Sequence, residues 1–364
     1  MAIYLAGFGF STLFVWISEK NQKYKVFWIL AVAVLTYIAA MRGLDVGIDI
    51  KYYVLKTYKI AQTYRGNFFG YIAYNPDQVE PLYMLTEYIA ANVIKNVHFA
   101  LFVFSLLSNT FILLGVKNLR NRMSVTVGWI AYCLLFYSVT LNLMRQFIAI
   151  AIIFYLFSDS KKLNWKRAAF FSLLAMGFHI SGLMGMFLYA VYIILGKKEV
   201  TTSLFKMIVL GLFLSLPFLA DILLGLFSNL GIVSGKFLLY LNNEGDVALG
   251  NIIFRSVGMV FYAFHIFRSK LVRKDHWIRF ILYTGIIDIL FLLNNGLFSL
   301  RVGKMFSVFE IVYFTIGLNS FKKGKSRIIA SIALTIFLFA YWYYQFVVLN
   351  SGLIYPYEFD NNML

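Results

Sequence analysis

Residues 98–116, HFALFVFSLLSNTFILLGV, contain no lysine, arginine, aspartate or glutamate. A helix needs about 20 mostly apolar residues to cross a lipid bilayer. This stretch is long and apolar enough, so it predicts a transmembrane helix. Similar stretches predict an all-α, polytopic membrane bundle of about twelve spans. The others lie at 1–17, 26–41, 124–140, 144–158, 164–178, 182–196, 205–226, 251–267, 280–298, 303–319 and 328–349.

The composition of the whole chain also indicates a membrane protein. Of 364 residues, 61% are hydrophobic and 13% are charged, and the formal net charge is +17. An average soluble domain carries roughly a quarter charged residues. These values exclude a secreted domain, a disordered tail, an ordinary cytosolic enzyme and a nucleic-acid binder. Cys133 is the only cysteine, which excludes a disulfide framework. No repeat or composition shift divides residues 1–364, so we expect a single transmembrane domain.

Lysine and arginine are concentrated in alternate loops of the predicted bundle. Cytoplasmic loops of membrane proteins collect these residues, so we expect this set to face the cytoplasm and both termini to lie outside. The outer face then carries two long loops, 42–97 and 227–250, and long loops are disproportionately functional. The basic set holds 22 of the 33 lysines and arginines and comprises loops 18–25, 117–122, 159–167, 197–206, 268–279 and 320–327.

The first outer loop opens with the segment Arg42-Gly-Leu-Asp45-Val-Gly-Ile-Asp49. We expect Asp49 to cap a helix at about residues 50–62. The lysines and tyrosines of that helix suit the membrane interface, where ammonium groups reach lipid phosphates. One interpretation is a juxtamembrane turn followed by a surface helix. The other is an acid–base pair at the mouth of a site for a lipid-linked substrate.

The same loop continues with residues 74–81, YNPDQVEP. The Asn75-Pro76 pair signals a turn, and Pro81 suits the first turn of a helix. Glu80 and Glu87 are then carboxylates near the outer leaflet. A capping turn alone also explains the pattern.

Two polar side chains interrupt the apolar stretches that follow. Arg145, within Asn142-Leu-Met-Arg145-Gln146, opens a span and has no acidic residue near it in the sequence. An arginine costs about 2.5–3.5 kcal/mol at mid-bilayer, so it either snorkels to the headgroups or has a function. His179 lies between 164–178 and 182–196, which either span or form a re-entrant hairpin. It is either a proton shuttle or phosphate donor, or a structural residue.

Ionisable residues also occur in the last third of the chain. Arg301 precedes the eleventh span, Arg255 lies near the outer end of the ninth, and Asp288 lies near the middle of the tenth. Groups of this kind are functional candidates. They also form ion pairs that fix helix packing, for example Asp288 or Glu310 with an arginine. We expect function for Arg301 and packing for Asp288.

Four outer arginines would suit one anion if the bundle brings them together, because a guanidinium donates two parallel bonds to phosphate. The sequence has no P-loop, G-x-G-x-x-G, H-E-x-x-H or G-x-S-x-G motif, so nucleotide-driven transport is not expected. The four are Arg42, Arg145, Arg255 and Arg301.

Four motifs occur in the order MRGLDVGIDIKYY (41–53), NPDQVEPLYMLTEYI (75–89), LNLMRQFIAIAI (141–152) and GFHISGL (177–183). This ordered set, together with the topology over nearly the whole chain, resembles the Wzy/EpsG-type polysaccharide polymerases of bacteria.

The resemblance implies a metal-independent glycosyltransferase without a cofactor, in the bacterial cytoplasmic membrane, with its active site facing outside. The donor is a growing glycan on undecaprenyl pyrophosphate, and the acceptor is one lipid-linked repeat unit. The product is a capsule or exopolysaccharide, and a flippase and a chain-length regulator are implied partners. The implied catalytic residues are Asp45, Asp49, Glu80 and His179. The implied pyrophosphate ligands are Arg42, Arg145 and Arg301, to which the expected convergence of arginines adds Arg255.

Three alternatives stay open at this point. A glycosyltransferase that adds one sugar from a polyprenyl-phosphate donor would use Asp45 and Asp49 as a metal-assisted pair. A flippase or exporter of lipid-linked oligosaccharide would need charged residues along its full depth, whereas most spans here are free of them. A membrane O-acyltransferase would use His179 as its base, and it needs an acyl-CoA path that the short inner loops do not offer.

Overall fold

The computed structural model describes residues 1–21, 23–74, 79–196, 249–271, 275–294 and 296–360, with a few single residues between 211 and 226. Regular structure in these residues is helical, and an isolated β-bridge joins Arg42 and Phe359. The all-helical prediction is therefore confirmed. The turn at Asn75-Pro76, the second outer loop at 227–250 and the predicted span at 205–226 lie wholly or largely outside the described residues.

The chain divides into two compact units, Met1–Gly185 with Ile328–Leu364, and Met186–Arg327. The helices before residue 197 are α1 (Ala2–Lys20), α2 (Val26–Ala40), α3 (Leu55–Thr63), α4 (Phe68–Tyr74), α5 (Pro81–Ile89), α6 (Val97–Asn118), α7 (Val125–Tyr132), α8 (Met144–Ser158), α9 (Trp165–Met176) and α10 (Met184–Gly196). The later ones are α11 (Leu249–Arg268), α12 (His276–Leu293), α13 (Leu297–Ser307), α14 (Glu310–Gly317) and α15 (Lys325–Tyr343). π-Helical turns adjoin four of them, at Ile50–Val54, Ala90–Ile94, Cys133–Tyr137 and Tyr344–Val348.

Each predicted span that the described residues cover contains a helix. The total of twelve spans stays a prediction. Four shorter apolar helices in the described residues are Val26–Ala40, Val125–Thr140, Met144–Ser158 and Ile180–Gly196. Five described helices are long and apolar enough to cross a membrane: Ala2–Lys20, Val97–Asn118, Leu249–Arg268, His276–Leu293 and Lys325–Val348.

Helix α8 lies in the core of the first unit. Only Arg145 and Tyr155 among its side chains are partly exposed. A helix that is apolar on all sides is stable only when other helices surround it. Gly115 of α6 permits close packing, because a Cβ there would come within 2.6 Å of the Phe154 ring. The first turn of this central helix therefore holds Arg145 in a fixed place.

Contacts within the first unit show which elements lie at each of its two ends. At one end, the Glu19 carboxylate accepts the N–H groups of Val125 and Thr126 and so caps α7. Helix α1 is about 28 Å long, at 1.5 Å per residue. At its other end, the Tyr4 hydroxyl donates to the carbonyl of Ile354. The first turn of α1 and the C-terminal segment therefore lie at the same end of the unit. The segment after α2 lies there too, because its main chain bonds to the C-terminal segment.

The C-terminal strap, which we define as residues 350–360, runs along the segment after α2. Main-chain N–H groups of Gly43 and Gly47 donate to the carbonyls of Glu358 and Leu353, at 2.8 and 2.9 Å. The N–H of Asp360 donates to the carbonyl of Met41 at 3.1 Å. The start of the loop that was expected to carry function is therefore held by the end of the chain.

The two short stretches around His179 are joined by a tight turn at residues 177–183, which we call the hairpin. Helix α9 has 12 residues, about 18 Å, which is short for the roughly 30 Å hydrocarbon core. The hairpin turns at Gly177–His179 and continues through one 3₁₀ turn, Ile180–Leu183. A Cβ at Gly182 would come within 2.5 Å of the Ala175 carbonyl carbon, so the 3₁₀ turn packs main chain to main chain against the end of α9. His179 lies within this turn, and a re-entrant arrangement of the two stretches stays a prediction.

Two local predictions are wrong. Asp49 is not the cap of the following helix, because the helical turn already starts at Ile48 and Asp49 itself has helical dihedral angles. The predicted span 303–319 is two helices, α13 and α14, which are separated at Val308–Phe309. The Ser307 hydroxyl donates to the carbonyl three residues earlier, and serines that bond to the preceding turn bend helices. By contrast, Pro81 does begin a helix, as predicted.

Candidate functional site

Arg145 is the centre of a group of charged and aromatic side chains in the first unit. Its Nη1 lies 2.9 Å from Oε2 of Glu80, and both side chains are largely buried. The guanidinium also lies 4.8 Å from the ring of Tyr53 and 5.2 Å from the ring of Tyr83. Cation–π contacts and a charge-assisted hydrogen bond orient a guanidinium without saturating its five donors. Arg145 is thus a fixed cation suited to an anionic ligand.

Glu80 joins Arg145 to the hairpin that carries His179. Its Oε1 accepts the N–H of Ile180 at 3.0 Å, while Oε2 faces Arg145. The N–H of Leu82 donates to the carbonyl of Gly177 at 2.8 Å, which fastens the start of α5 to the hairpin tip. Pro81 contributes by placing Glu80 in an extended conformation immediately before the helix. Two segments about 100 residues apart in the sequence therefore meet at one carboxylate.

The imidazole of His179 has a defined orientation at this tip. Its Nδ1 lies 2.8 Å from the Ser181 hydroxyl and accepts the main-chain N–H of Ser181 at 3.2 Å. When Nδ1 accepts a main-chain N–H, the proton of the neutral ring is on Nε2. The Nε2 position is therefore the hydrogen-bond donor of the neutral histidine.

Arg42 is buried at the same end of the unit, with 1% of its surface exposed. Its Nη2 donates to the carbonyl of Leu141 at 2.8 Å and lies 3.4 Å from the sulfur of Met144. Its Nε and Nη1 have no hydrogen-bond partner among the described residues. Burial lowers the pKa of Arg42, while the negative charge of Asp49 acts in the opposite direction. A buried guanidinium with two unused donors is costly, which makes it a second candidate cation for an anion.

The two aspartates of the segment after α2 differ in their surroundings. Asp45 is exposed in a turn. Asp49 is partly buried and interacts electrostatically with both Arg42 and Arg145. The structure therefore brings together five of the predicted site residues in the first unit, with Asp45 on the adjoining turn. The five are Arg42, Asp49, Glu80, Arg145 and His179.

A separate ion cluster lies in the second unit. Arg255 places Nη1 2.6 Å from Asp288 and Nε 3.2 Å from Glu310. Both carboxylates are buried, and Lys304 interacts electrostatically with all three groups. The expected pairing of Asp288 or Glu310 with an arginine is therefore observed for both. Arg301 lies one turn before Lys304 on α13 and is partly buried. The joint binding of one anion by the arginines of both units stays a prediction.

The sequence did not point to the pairing of Arg145 with Glu80 or to the two tyrosines beside Arg145. It also did not single out the burial of Glu87, which is fully enclosed and lies within electrostatic reach of Tyr71 and Tyr83. Burial raises the pKa of Glu87 to about 8. Spacing in the sequence does not reveal such contacts, because the partners come from different loops. Among the described residues, no three histidine, cysteine, aspartate or glutamate side chains are grouped so that they could hold a metal ion.

The fold and the site define a multi-pass, all-helical membrane protein with an arginine–carboxylate centre at one end of a helical unit. Comparison with known families is more specific. The family model described as EpsG family matches residues 25–359, and the chain therefore belongs to the EpsG family. No curated protein and no solved structure matches the chain. Membership of the EpsG family indicates a glycosyltransferase-type, polysaccharide-polymerase-like role.

Proposed function

We propose that the protein polymerises oligosaccharide repeat units that are linked to undecaprenyl pyrophosphate, and that it does so on the outer face of the bacterial cytoplasmic membrane. The observation that carries this proposal is the Arg145 guanidinium, which Glu80, Tyr53 and Tyr83 hold at the head of a buried helix. A fixed cation at the membrane end of a bundle suits a lipid-linked pyrophosphate, which has its charge at that depth.

The proposed reaction transfers a glycan from one lipid carrier to another. A hydroxyl at the non-reducing end of the acceptor attacks the anomeric carbon of the donor glycan. The new glycosidic bond forms while the bond from that carbon to the pyrophosphate oxygen breaks, and the hydroxyl proton passes to a base. The leaving group is undecaprenyl pyrophosphate. Arg145 neutralises the charge that develops on it, and this is the role that preorganised donors have in transition-state stabilisation.

The contacts of Glu80 indicate its part in this reaction. One oxygen faces Arg145 and the other accepts a main-chain N–H. Both oxygens are thus engaged within the fold, so we assign Glu80 to holding Arg145. Asp45 and Asp49 then remain as candidates for the base that takes the hydroxyl proton. His179, whose neutral ring carries its proton on Nε2, is a candidate donor to a phosphate oxygen.

The proposal includes neutralisation of the pyrophosphate by arginine without a metal ion. Arg42 is the second cation of the first unit, and its unused Nε and Nη1 donors suit a phosphate oxygen. Arg301 of the second unit is a further candidate ligand. The loops rich in lysine and arginine are expected to face the cytoplasm. The site at the opposite end of the first unit would then receive the pyrophosphate from the outer leaflet. A flippase that delivers repeat units and a chain-length regulator are the proposed partners.

Deletion of the gene tests the proposal, with separation of the surface glycans by size as the measurement. We expect the long ladder to disappear and single repeat units to accumulate on their lipid carrier at the outer leaflet. Repeat units retained on the inner leaflet would instead identify a flippase. Incomplete repeat units that lack one sugar would identify a glycosyltransferase that adds single sugars. Either result would reject the polymerase.

A further inference from the structure

Asn142 occupies the junction of three chain segments in the first unit. Its Oδ1 accepts the main-chain N–H of Ile48 at 2.8 Å, and Ile48 immediately precedes Asp49. Asn142 is itself three residues before Arg145. The same Ile48 N–H also lies 3.3 Å from the carbonyl of Gly352 in the C-terminal strap. One side-chain amide therefore joins the aspartate-bearing loop, the arginine-bearing turn and the end of the chain.

Two glycines make this junction possible. Gly47 has φ +104°, and a Cβ there would come within 3.2 Å of both Oδ1 of Asn142 and the carbonyl of Leu141. Gly352 has φ +83°, and a Cβ there would collide with Nδ2 of Asn142. Residues with a side chain rarely adopt such positive φ values. The main chain on both sides of Asn142 is thus shaped to approach this amide closely.

The junction controls the placement of charged groups. Asp49 interacts electrostatically with both Arg42 and Arg145. Arg42 donates to the carbonyl of Leu141, the residue before Asn142. A shift of the Ile48 main chain away from Asn142 would therefore move the Asp49 carboxylate relative to both guanidinium groups.

We propose that Asn142 is a positioning residue for the reaction, and that the C-terminal strap completes the clamp that holds Asp49 against Arg42 and Arg145. This inference rests on the proposed function. Asn142 does not contact the reacting atoms, and it acts through the Ile48 main chain. Displacement of a reactive group by about 1 Å costs roughly a hundred-fold in rate, so a lost clamp should slow polymerisation while the protein still folds.

The first arm of the test measures the clamp directly and does not depend on the function. A nitroxide spin label is attached to Ile48→Cys, a position with 40% of its surface exposed, whereas the natural Cys133 is buried. Asn142→Ala and Gly352→Ala should each increase the mobility of the label. Asn142→Asp keeps an oxygen that accepts the Ile48 N–H, so it should restore the ordered spectrum. An unchanged spectrum in Asn142→Ala would overturn the inference.

The second arm measures the glycan ladder for each amount of folded protein in the membrane. Asn142→Ala should reduce polymerisation roughly a hundred-fold. The matched control is Asn109→Ala, which removes a buried asparagine that bonds to Thr36, Ser105 and Tyr132, none of which belongs to the junction. It should retain its activity per folded molecule. A normal ladder from Asn142→Ala alone would reject this inference, whereas normal ladders from both Asn142→Ala and Arg145→Ala would reject the proposed function.

Discussion

Oε2 of Glu80 lies 2.9 Å from Nη1 of Arg145, although the two residues are 65 positions apart in the sequence. The other oxygen of Glu80 accepts the N–H of Ile180. A single carboxylate therefore connects the first turn of the central helix to the tip of the short hairpin. Because the pair is largely buried, packing fixes its geometry. An exposed salt bridge, by contrast, contributes little to stability.

The first prediction concerns this pair. Arg145→Ala should abolish the glycan ladder while the protein still reaches the membrane. Arg145→Lys should reduce polymerisation by about a hundred-fold, because an ammonium cannot donate two parallel bonds to a phosphate. Glu80→Gln should reduce it about ten- to a hundred-fold, the value of one charge-assisted hydrogen bond. The measurement is the ladder from membranes that contain equal amounts of each variant.

The double variant Glu80→Gln/Arg145→Lys distinguishes a joint action from two separate ones. If Glu80 acts through Arg145, the double variant should be no less active than Arg145→Lys alone, because contacting residues are not additive. Fully additive losses would show that Glu80 has a role of its own, such as that of the general base.

The sequence was sufficient to predict the helices, because an apolar stretch has few other stable structures in a membrane. It was also sufficient to place His179 between two short apolar helices and Arg145 at the start of an apolar helix. It could not give the partner of Arg145. That contact depends on how three loops pack on each other, and no periodicity in the sequence records such packing.

The burial of Arg42 is a second feature that the sequence did not predict. The motif after α2 pointed to a basic residue available to a substrate. In the structure Arg42 is buried, its guanidinium donates to the carbonyl of Leu141, and a β-bridge joins it to Phe359. The two positions are more than 300 residues apart in the sequence. Long-range contacts of this kind are encoded in the packing of the whole unit.

The second prediction concerns Glu87, whose pKa burial raises to about 8. An ordinary glutamate ionises near pH 4.5 in the unfolded chain, whereas Glu87 stays protonated in the folded protein until about pH 8. The folded state thus binds more protons in this range, and the free energy of unfolding falls as the pH rises from about 5 to 8. The total loss is on the order of 5 kcal/mol.

Thermal melting of the detergent-solubilised protein between pH 5 and pH 8.5 checks this prediction. The melting temperature of the wild type should fall across the range, and Glu87→Gln should remove most of the fall because its amide does not ionise. Glu358→Gln is the matched control, because Glu358 is exposed to water, and it should melt like the wild type. Equal slopes for the wild type and Glu87→Gln would contradict the prediction.

The third prediction concerns the ion cluster of the second unit. Arg255→Leu leaves Asp288 and Glu310 buried without their arginine, and the loss of one partner from a buried pair costs about 3–5 kcal/mol. We expect a sharp decrease in folded protein. The double variant Arg255→Leu/Glu310→Gln removes one charge of each sign and leaves Lys304 with Asp288, so it should recover much of the loss. Size-exclusion chromatography and melting in detergent measure both effects. A double variant as unstable as Arg255→Leu would show that the cluster requires its full set of charges.

The fourth prediction concerns metal ions. If arginine neutralises the pyrophosphate, polymerisation by the purified protein in vesicles should persist in excess EDTA. The competing interpretation uses Asp45 and Asp49 as a metal-assisted pair, and it requires activity to disappear with EDTA and return with a divalent cation. The reaction rate before and after chelation separates the two. The Asp45→Asn variant provides a further comparison, since it should alter a metal requirement only if that aspartate binds the metal.

The last prediction concerns orientation, which the proposed site on the outer face requires. Because Cys133 is buried, an introduced exposed cysteine can be labelled selectively with a membrane-impermeant maleimide. Asp45→Cys should react in intact cells. Lys322→Cys lies in one of the loops rich in lysine and should react only after permeabilisation. The strap adds an internal check. The Asp360 N–H bonds to the carbonyl of Met41, so Phe359→Cys must behave like Asp45→Cys.

Labelling of Lys322→Cys alone in intact cells would reverse the orientation and reject a site on the outer face. Opposite results for positions 45 and 359 would contradict the fold of the first unit itself, because the two segments lie against each other.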